Sequence, residues 1–253
     1  IRALWEKSKP ATAEHFYIKK KGLPFDDLRV TPGGWLCVPQ FSIETGELVG
    51  IERIAPHEKR NKDDITKRQY GKRLGGVYTI GDTDDAKTIF VSEGLATGHA
   101  LHRITGEPVI VAFSSGEFPK RAPALMKRWP DTEIVLCPDC DDAGISIAEK
   151  AVGASVLRIP DAMPKGTDWD DVLRDKGLDA AREMLCAAWD SRKECEGVVS
   201  EAEEAAKEVP SRRFHFIDID DLDVRPPQWL VKGFLEKDLL GSFFGASESG
   251  KSF

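Results

Sequence analysis

Apolar and polar positions alternate in two different ways along this chain. From residue 88 onward, "TIFVSEG", "PVIVAF", "EIVLCPD" and "SVLRIP" are short apolar runs rich in β-formers and bounded by Gly, Pro or Asp. Helix-like stretches separate or follow them at 95–105, 118–128, 142–152, 168–174 and 178–188. Strand alternating with helix at this spacing predicts right-handed βαβ units, hence a parallel sheet covered by helices on both faces. Upstream the pattern is different. Residues 11–21 predict a short helix stopped by Gly22, and "GGWLCVPQF" and "ELVGIERIA" predict two strands joined by the turn "ETGE". That segment reads as a small α+β subdomain. Residues 190–210 lack apolar periodicity and are rich in charge, which predicts a helical or loosely ordered linker. No internal repeat is present.

Length and composition narrow the class. A chain of 253 residues with 41% hydrophobic side chains can bury a real core in one large domain or two ordinary ones. Ile1 in place of Met, and an end at Phe253, suggest cuts through a longer protein. With no secretory signal and no long apolar run, the expectation is a soluble, cytoplasmic protein with no membrane partner. Five cysteines, an odd number, argue against a disulfide framework.

The net charge of −7 is unevenly spread. Residues 51–73 hold eight Lys or Arg against four Asp or Glu, whereas 194–223 hold ten acidic side chains. The basic segment fits a polyanion footprint; on charge alone, a solvated loop fits as well.

Candidate chemistry centres on "EIVLCPDCDDAG", residues 133–144, where two pairs compete. Cys137 and Cys140 would need two further ligands to bind zinc, and Cys186 and Cys195 do not form a close pair. Asp139 between the sulfurs opposes a redox thiolate. Cys137 reads instead as a small apolar residue ending a buried strand. Asp139 and Asp141 fall just past the carboxyl end of the third strand of the parallel set, where open α/β sheets bind ligands. Residues two apart in extended chain point the same way. Two converging hard oxygen ligands suit Mg²⁺; the competing reading is that Asp141 or Asp142 only caps the next helix.

Further acidic residues shift that balance. "IFVSEGLATG" ends the first strand with Glu93, and "GTDWDD" offers Asp168 and Asp170 after the fourth. Carboxylates gathered at one edge repel unless cations lie among them, so the clustering argues for metal. Ser114, Ser115 and Gly116 end the second strand at the same edge, where they either contact a nucleotide or only start the next helix. The five histidines form no ligand spacing. Trp35, Trp129 and Trp169 read as core residues.

Glu-Gly after strand one, "DCDDAG" after strand three and the later acidic motif resemble the TOPRIM domain of DnaG-type primases, topoisomerases and some nucleases, over about residues 86–188. The segment before it resembles the basic subdomain that precedes this fold in phage and plasmid primases, with Lys67, Arg68, Lys72 and Arg73 in the region that helps hold template and nucleotide. One departure is Thr167, where related primases often carry Lys. The resemblance implies an α/β fold with a TOPRIM-type parallel sheet flanked by helices. It also implies a domain order: a basic subdomain over 1–85, a catalytic domain over 86–189, a linker over 190–212 and the truncated start of a RecA-like domain over 213–253.

Its implied activity is nucleotidyl transfer, the synthesis of short RNA primers from ribonucleoside triphosphates on single-stranded DNA. Mg²⁺ or Mn²⁺ would be held by Asp139, Asp141, Asp168 and Asp170, and Glu93 would be a further ligand or the general base. Near the chain end, "GASESGKS" matches a P-loop through Gly245, Gly250, Lys251 and Ser252, a pattern that cradles ATP phosphates. Its approach resembles the start of the helicase domain of plasmid RepA-type proteins, which implies a parent protein joining primase to a hexameric helicase. A TOPRIM nuclease would use the same carboxylates to cut DNA, and an adaptor would only bind DNA or nucleotide. Tyr17, Tyr70 and Tyr78 all precede the fold, which disfavours a topoisomerase.

Overall fold

Thirteen short strands and seven helices make up the regular structure of the described chain. The computed structural model describes residues 1–61, 63–71, 76–160 and 162–190, together with three short strands beyond them. The N-terminal part runs α1 (Arg2–Lys7), β1 (Lys9–Pro10), α2 (Phe16–Lys21), β2 (Arg29–Val30), β3 (Leu36–Ser42), β4 (Leu48–Ile54), β5 (Lys67–Tyr70) and β6 (Gly76–Ile80). Then follow β7 (Thr88–Ser92), α3 (Leu95–Thr105), β8 (Val109–Val111), α4 (Phe118–Arg128), β9 (Glu133–Cys137), α5 (Asp142–Ala148), β10 (Ser155–Val156), α6 (Trp169–Lys176), α7 (Leu178–Asp190) and β11 (Lys193–Glu194). A separate two-stranded sheet pairs β12 (Trp229–Val231) with β13 (Leu235–Glu236). The chain divides into two compact units, Ile1–Ser200 and Glu201–Phe253.

Strand alternation builds two cores on one sheet. Phe90, Val109, Val111, Val135 and Cys137 face α3, α6 and α7, while Ile89, Val91, Ile110, Ile134 and Leu136 face α4 and α5. Both faces are therefore dry, as a parallel sheet requires. β8, β7, β9 and β10 are parallel in that order, and β6 adds antiparallel beside β8. β6 also pairs with β3, so the N-terminal antiparallel strands and the parallel strands form one continuous sheet.

Local sequence explains most element ends. The helix expected over 11–21 starts at Phe16, because the His15 ring accepts the Tyr17 amide as its cap, and it stops at Gly22. α3 lies tight on the sheet through Gly98, where a Cβ would stand 2.9 Å from both Ser92 Oγ and Ile80 Cδ1. Trp169 is fully buried and pins the start of α6; truncation of such a side chain costs about 3–5 kcal/mol. Trp35, expected in the core, instead lies beneath the guanidinium groups of Arg53 and Arg68, at 5.7 and 5.3 Å. Cys137 is buried at the end of β9, and burial pushes its thiol up. No helix among the described residues is long and apolar enough to cross a membrane.

Candidate active site

Register decides what meets at the carboxyl edge of the parallel strands. Ser92 of β7 lies opposite Cys137 of β9 and Val111 of β8. Glu93, Asp139 and the 112–117 turn therefore leave the sheet at nearly the same level. Gly144, in the first turn of α5, lets the carboxylates crowd together. A Cβ there would stand 3.3 Å from Glu93 Oε1 and from Asp141 Oδ1.

The oxygens of this group are unevenly occupied. Glu93 Oε2 accepts the Ser115 amide at 2.9 Å, and Asp141 Oδ1 caps α5 by accepting the Gly144 amide at 2.6 Å. Glu93 Oε1 and Asp139 Oδ1 are buried and accept no hydrogen bond. Burial, then the charges of Glu93, Asp168 and Asp141, pushes the Asp139 carboxyl up to about 7, against the opposing pull of Lys67. A buried acceptor left unpaired costs about 1–3 kcal/mol, and more when charged. A divalent cation is a partner that such unpaired carboxylate oxygens take, and an all-oxygen donor set suits Mg²⁺ or Mn²⁺.

Asp168, Asp170 and Asp171 form a second acidic group, whose oxygens approach within 4.8 Å of one another. Their oxygens are engaged. Asp168 is the N-cap of α6 and takes the Asp171 amide at 2.8 Å and the Thr97 hydroxyl at 3.0 Å. Asp170 holds Lys21 of α2 and Arg174, and Asp171 holds Arg174 and completes a capping box. The burial of Asp168 pushes its carboxyl up.

Basic residues divide between the described and the undescribed chain. Lys67, on β5, brings its ammonium to 4.0 Å from a Cβ position at Gly94, next to Glu93. Arg68 is stacked on Trp35 instead. Ser115 contributes its backbone amide to Glu93, while Gly116 belongs to a short 3-10 turn over Ser115–Glu117. Lys72, Arg73 and the P-loop residues Gly245, Gly250, Lys251 and Ser252 lie outside the described residues. Two clefts of about 410 and 660 Å³ are lined by N-terminal residues such as Arg29 and His15, and neither contains a carboxylate of these two acidic groups.

No family model matches the chain. Among solved structures, a DnaG catalytic core is 14% identical, with 78% of each chain covered and a TM-score of 0.54. A DnaG primase catalytic domain bound to single-stranded DNA is 16% identical over 64% of this chain and 52% of that one, at a TM-score of 0.47. The Aquifex aeolicus primase, with zinc-binding and RNA polymerase domains, is 17% identical over 60% and 40%, at 0.45. The chain thus spans about half or less of the latter two. A mixed α/β sheet flanked by helices, in the fold of a DnaG catalytic core, is the architecture of this protein.

Proposed function

We propose that this chain is the nucleotidyl-transfer core of a DNA primase, which joins ribonucleoside triphosphates into short RNA primers on single-stranded DNA. The observation that supports it is the pair of buried, unpartnered oxygens on Glu93 and Asp139, gathered with Asp141 at the carboxyl edge of the parallel strands. Glu93, Asp139 and Asp141 hold Mg²⁺ or Mn²⁺ in this reading. When bound, the ion supplies charge neutralisation for the nucleotide's phosphates and orients the attacking 3′ hydroxyl.

The chain's own groups complete the chemistry. The alternative role for Glu93 is that of the general base that takes the hydroxyl proton. Lys67, whose ammonium acts on the Asp139 carboxyl, steadies the nucleotide's negative charge. Asp168, held by Thr97 and the α6 cap, adds negative field behind Asp139, and Asp170 ties α2 to α6 through Lys21. No Ser, Cys or His nucleophile is required, because phosphoryl chemistry of this kind rests on positioning and charge. Residues 1–85, with Lys72 and Arg73 joining Lys67 and Arg68, form the basic template-holding subdomain of this proposal, and 86–189 the TOPRIM catalytic domain. After a 190–212 linker, the P-loop opens a RecA-like, ATP-binding helicase domain of a longer, hexameric phage or plasmid protein.

The test is incubation with single-stranded DNA, ribonucleotides and Mg²⁺ or Mn²⁺, comparing wild type with Asp139→Ala. New oligoribonucleotides that vanish in the variant support primase. Shortened DNA turns the reading to a TOPRIM nuclease, and neither product turns it to a binding adaptor.

A further inference from the structure

Beside the acidic edge, the chain adopts a conformation that its own residue type disfavours. Phe113, the second residue past β8, has φ of +67°, one of two non-glycine residues with positive φ among those described. Left-handed backbone at a bulky residue is strained and persists only where surrounding structure holds it. The holding structure here is specific. Ala112 still bonds to Ser92 at 2.8 Å, so the chain is fixed up to the residue before Phe113. On the far side Glu117 is buried and paired with Lys120 and Arg121. Between these anchors, Ser114 is extended and the 3-10 turn begins.

The consequence is the direction of one amide. With Phe113 left-handed, Ser115 N–H donates to Glu93 Oε2 at 2.9 Å. That bond leaves Oε1 turned toward Asp141 across Gly144. We infer that the Phe113–Glu117 turn is a positioning device for Glu93, in which the left-handed Phe113 aims the Ser115 amide to fix one carboxylate oxygen and present the other to a divalent cation. Ser115 is thus a positioning residue that acts through its backbone, and its hydroxyl is not required. The inference rests on the ion-binding role proposed for Glu93.

Ser115→Pro removes the bond and, because the ring Cδ takes the place of the amide hydrogen aimed at Oε2, also pushes the Glu93 carboxylate out of position. Proline suits the first position of a helical turn, Ser114 is already extended as a residue before proline should be, and the substitution replaces the N–H with a methylene. Mn²⁺ binding to the full chain, read as free Mn²⁺ by electron paramagnetic resonance, is expected to weaken at least about tenfold in Ser115→Pro, tenfold being the scale of losing one hydrogen bond to a charged group. The melting temperature should stay within a few degrees of wild type. Ser115→Ala keeps the N–H and should retain wild-type Mn²⁺ affinity.

A second pair of variants separates geometry from packing. Asn tolerates left-handed backbone and Val does not, so Phe113→Asn should bind Mn²⁺ more tightly than Phe113→Val although Val is the more hydrophobic. Wild-type affinity in a folded Ser115→Pro, or tighter binding by Phe113→Val than by Phe113→Asn, overturns the positioning role alone. No Mn²⁺ binding by wild type overturns both it and the site reading on which it rests.

Discussion

Glu93 and Asp139 on one side, and Asp168, Asp170 and Asp171 on the other, lie close enough that Asp168 acts on the Asp139 carboxyl. By spacing alone the second group is the better metal site, since its three carboxylates approach within 4.8 Å. Hydrogen-bond accounting reverses the ranking. Its oxygens already cap α6 and receive Thr97, Lys21 and Arg174, whereas the first group keeps two buried oxygens with no donor. An engaged carboxylate must surrender its bonds before it can take a cation, and an unpartnered one gains by taking it. Proximity measures repulsion; vacancy of lone pairs measures the capacity to bind.

Substitutions can break this contrast. The largest effect is expected for Glu93→Gln, which keeps the shape and removes the charge. Primer synthesis should fall about 10²–10³-fold, the usual scale for losing one preorganised electrostatic contact, while the melting temperature holds. Unchanged synthesis would make the unpartnered oxygens incidental.

The second group should respond in stability instead. Asp170→Ala leaves Lys21 without its buried partner, and removing one member of a buried pair costs about 3–5 kcal/mol. Denaturant unfolding measures this, with Mn²⁺ affinity expected to change less than threefold (about 0.6 kcal/mol). Loss of ion binding without loss of stability would invert the assignment of roles.

A pH titration sharpens the comparison further. Asp139 has its folded carboxyl raised from 3.8 to about 7, so between those values the ion-free fold holds a proton that the unfolded chain has released. Ion-free stability therefore rises as pH falls through 7, and the penalty is fully present only above it. In chelator, Asp139→Asn should stabilise the protein above pH 7 by about 1–2 kcal/mol after solvent screening, and the gain should disappear by about pH 4. A gain that persists in strong acid would point to packing rather than charge. The smallest effect belongs to Asp142→Ala. Asp142 is adjacent to Asp141 but exposed, with its carboxylate on the equally exposed Lys165. Neither melting temperature nor Mn²⁺ affinity should move measurably.

Local pattern made much of the architecture legible. The runs at 88–94, 108–113 and 133–139 contain β7, β8 and β9, and the stretches at 95–105 and 118–128 are α3 and α4 to the residue. Such elements are readable because apolar alternation reports burial directly, and both faces of this sheet are buried. The same pattern placed Glu93 and Asp139 one and two residues past strand ends. It missed β5, whose Lys-Arg-Gln-Tyr carries no apolar alternation and pairs through β4, and β6, a short run set between glycines whose Val77, Tyr78 and Ile80 are nonetheless buried.

What the amino-acid order determined by itself is the succession of strands and helices and the edge at which the acidic residues emerge. Only tertiary structure decided which of those carboxylates are engaged. Thr97 reaches Asp168 across 71 residues of chain, and Lys21 reaches Asp170 across 149. The Ser115 amide finds Glu93 only because Phe113 is left-handed and β7 lies beside β8. Periodicity carries information about a few consecutive residues and the face they bury. The occupancy of an oxygen depends on whichever distant donor the completed fold brings to it.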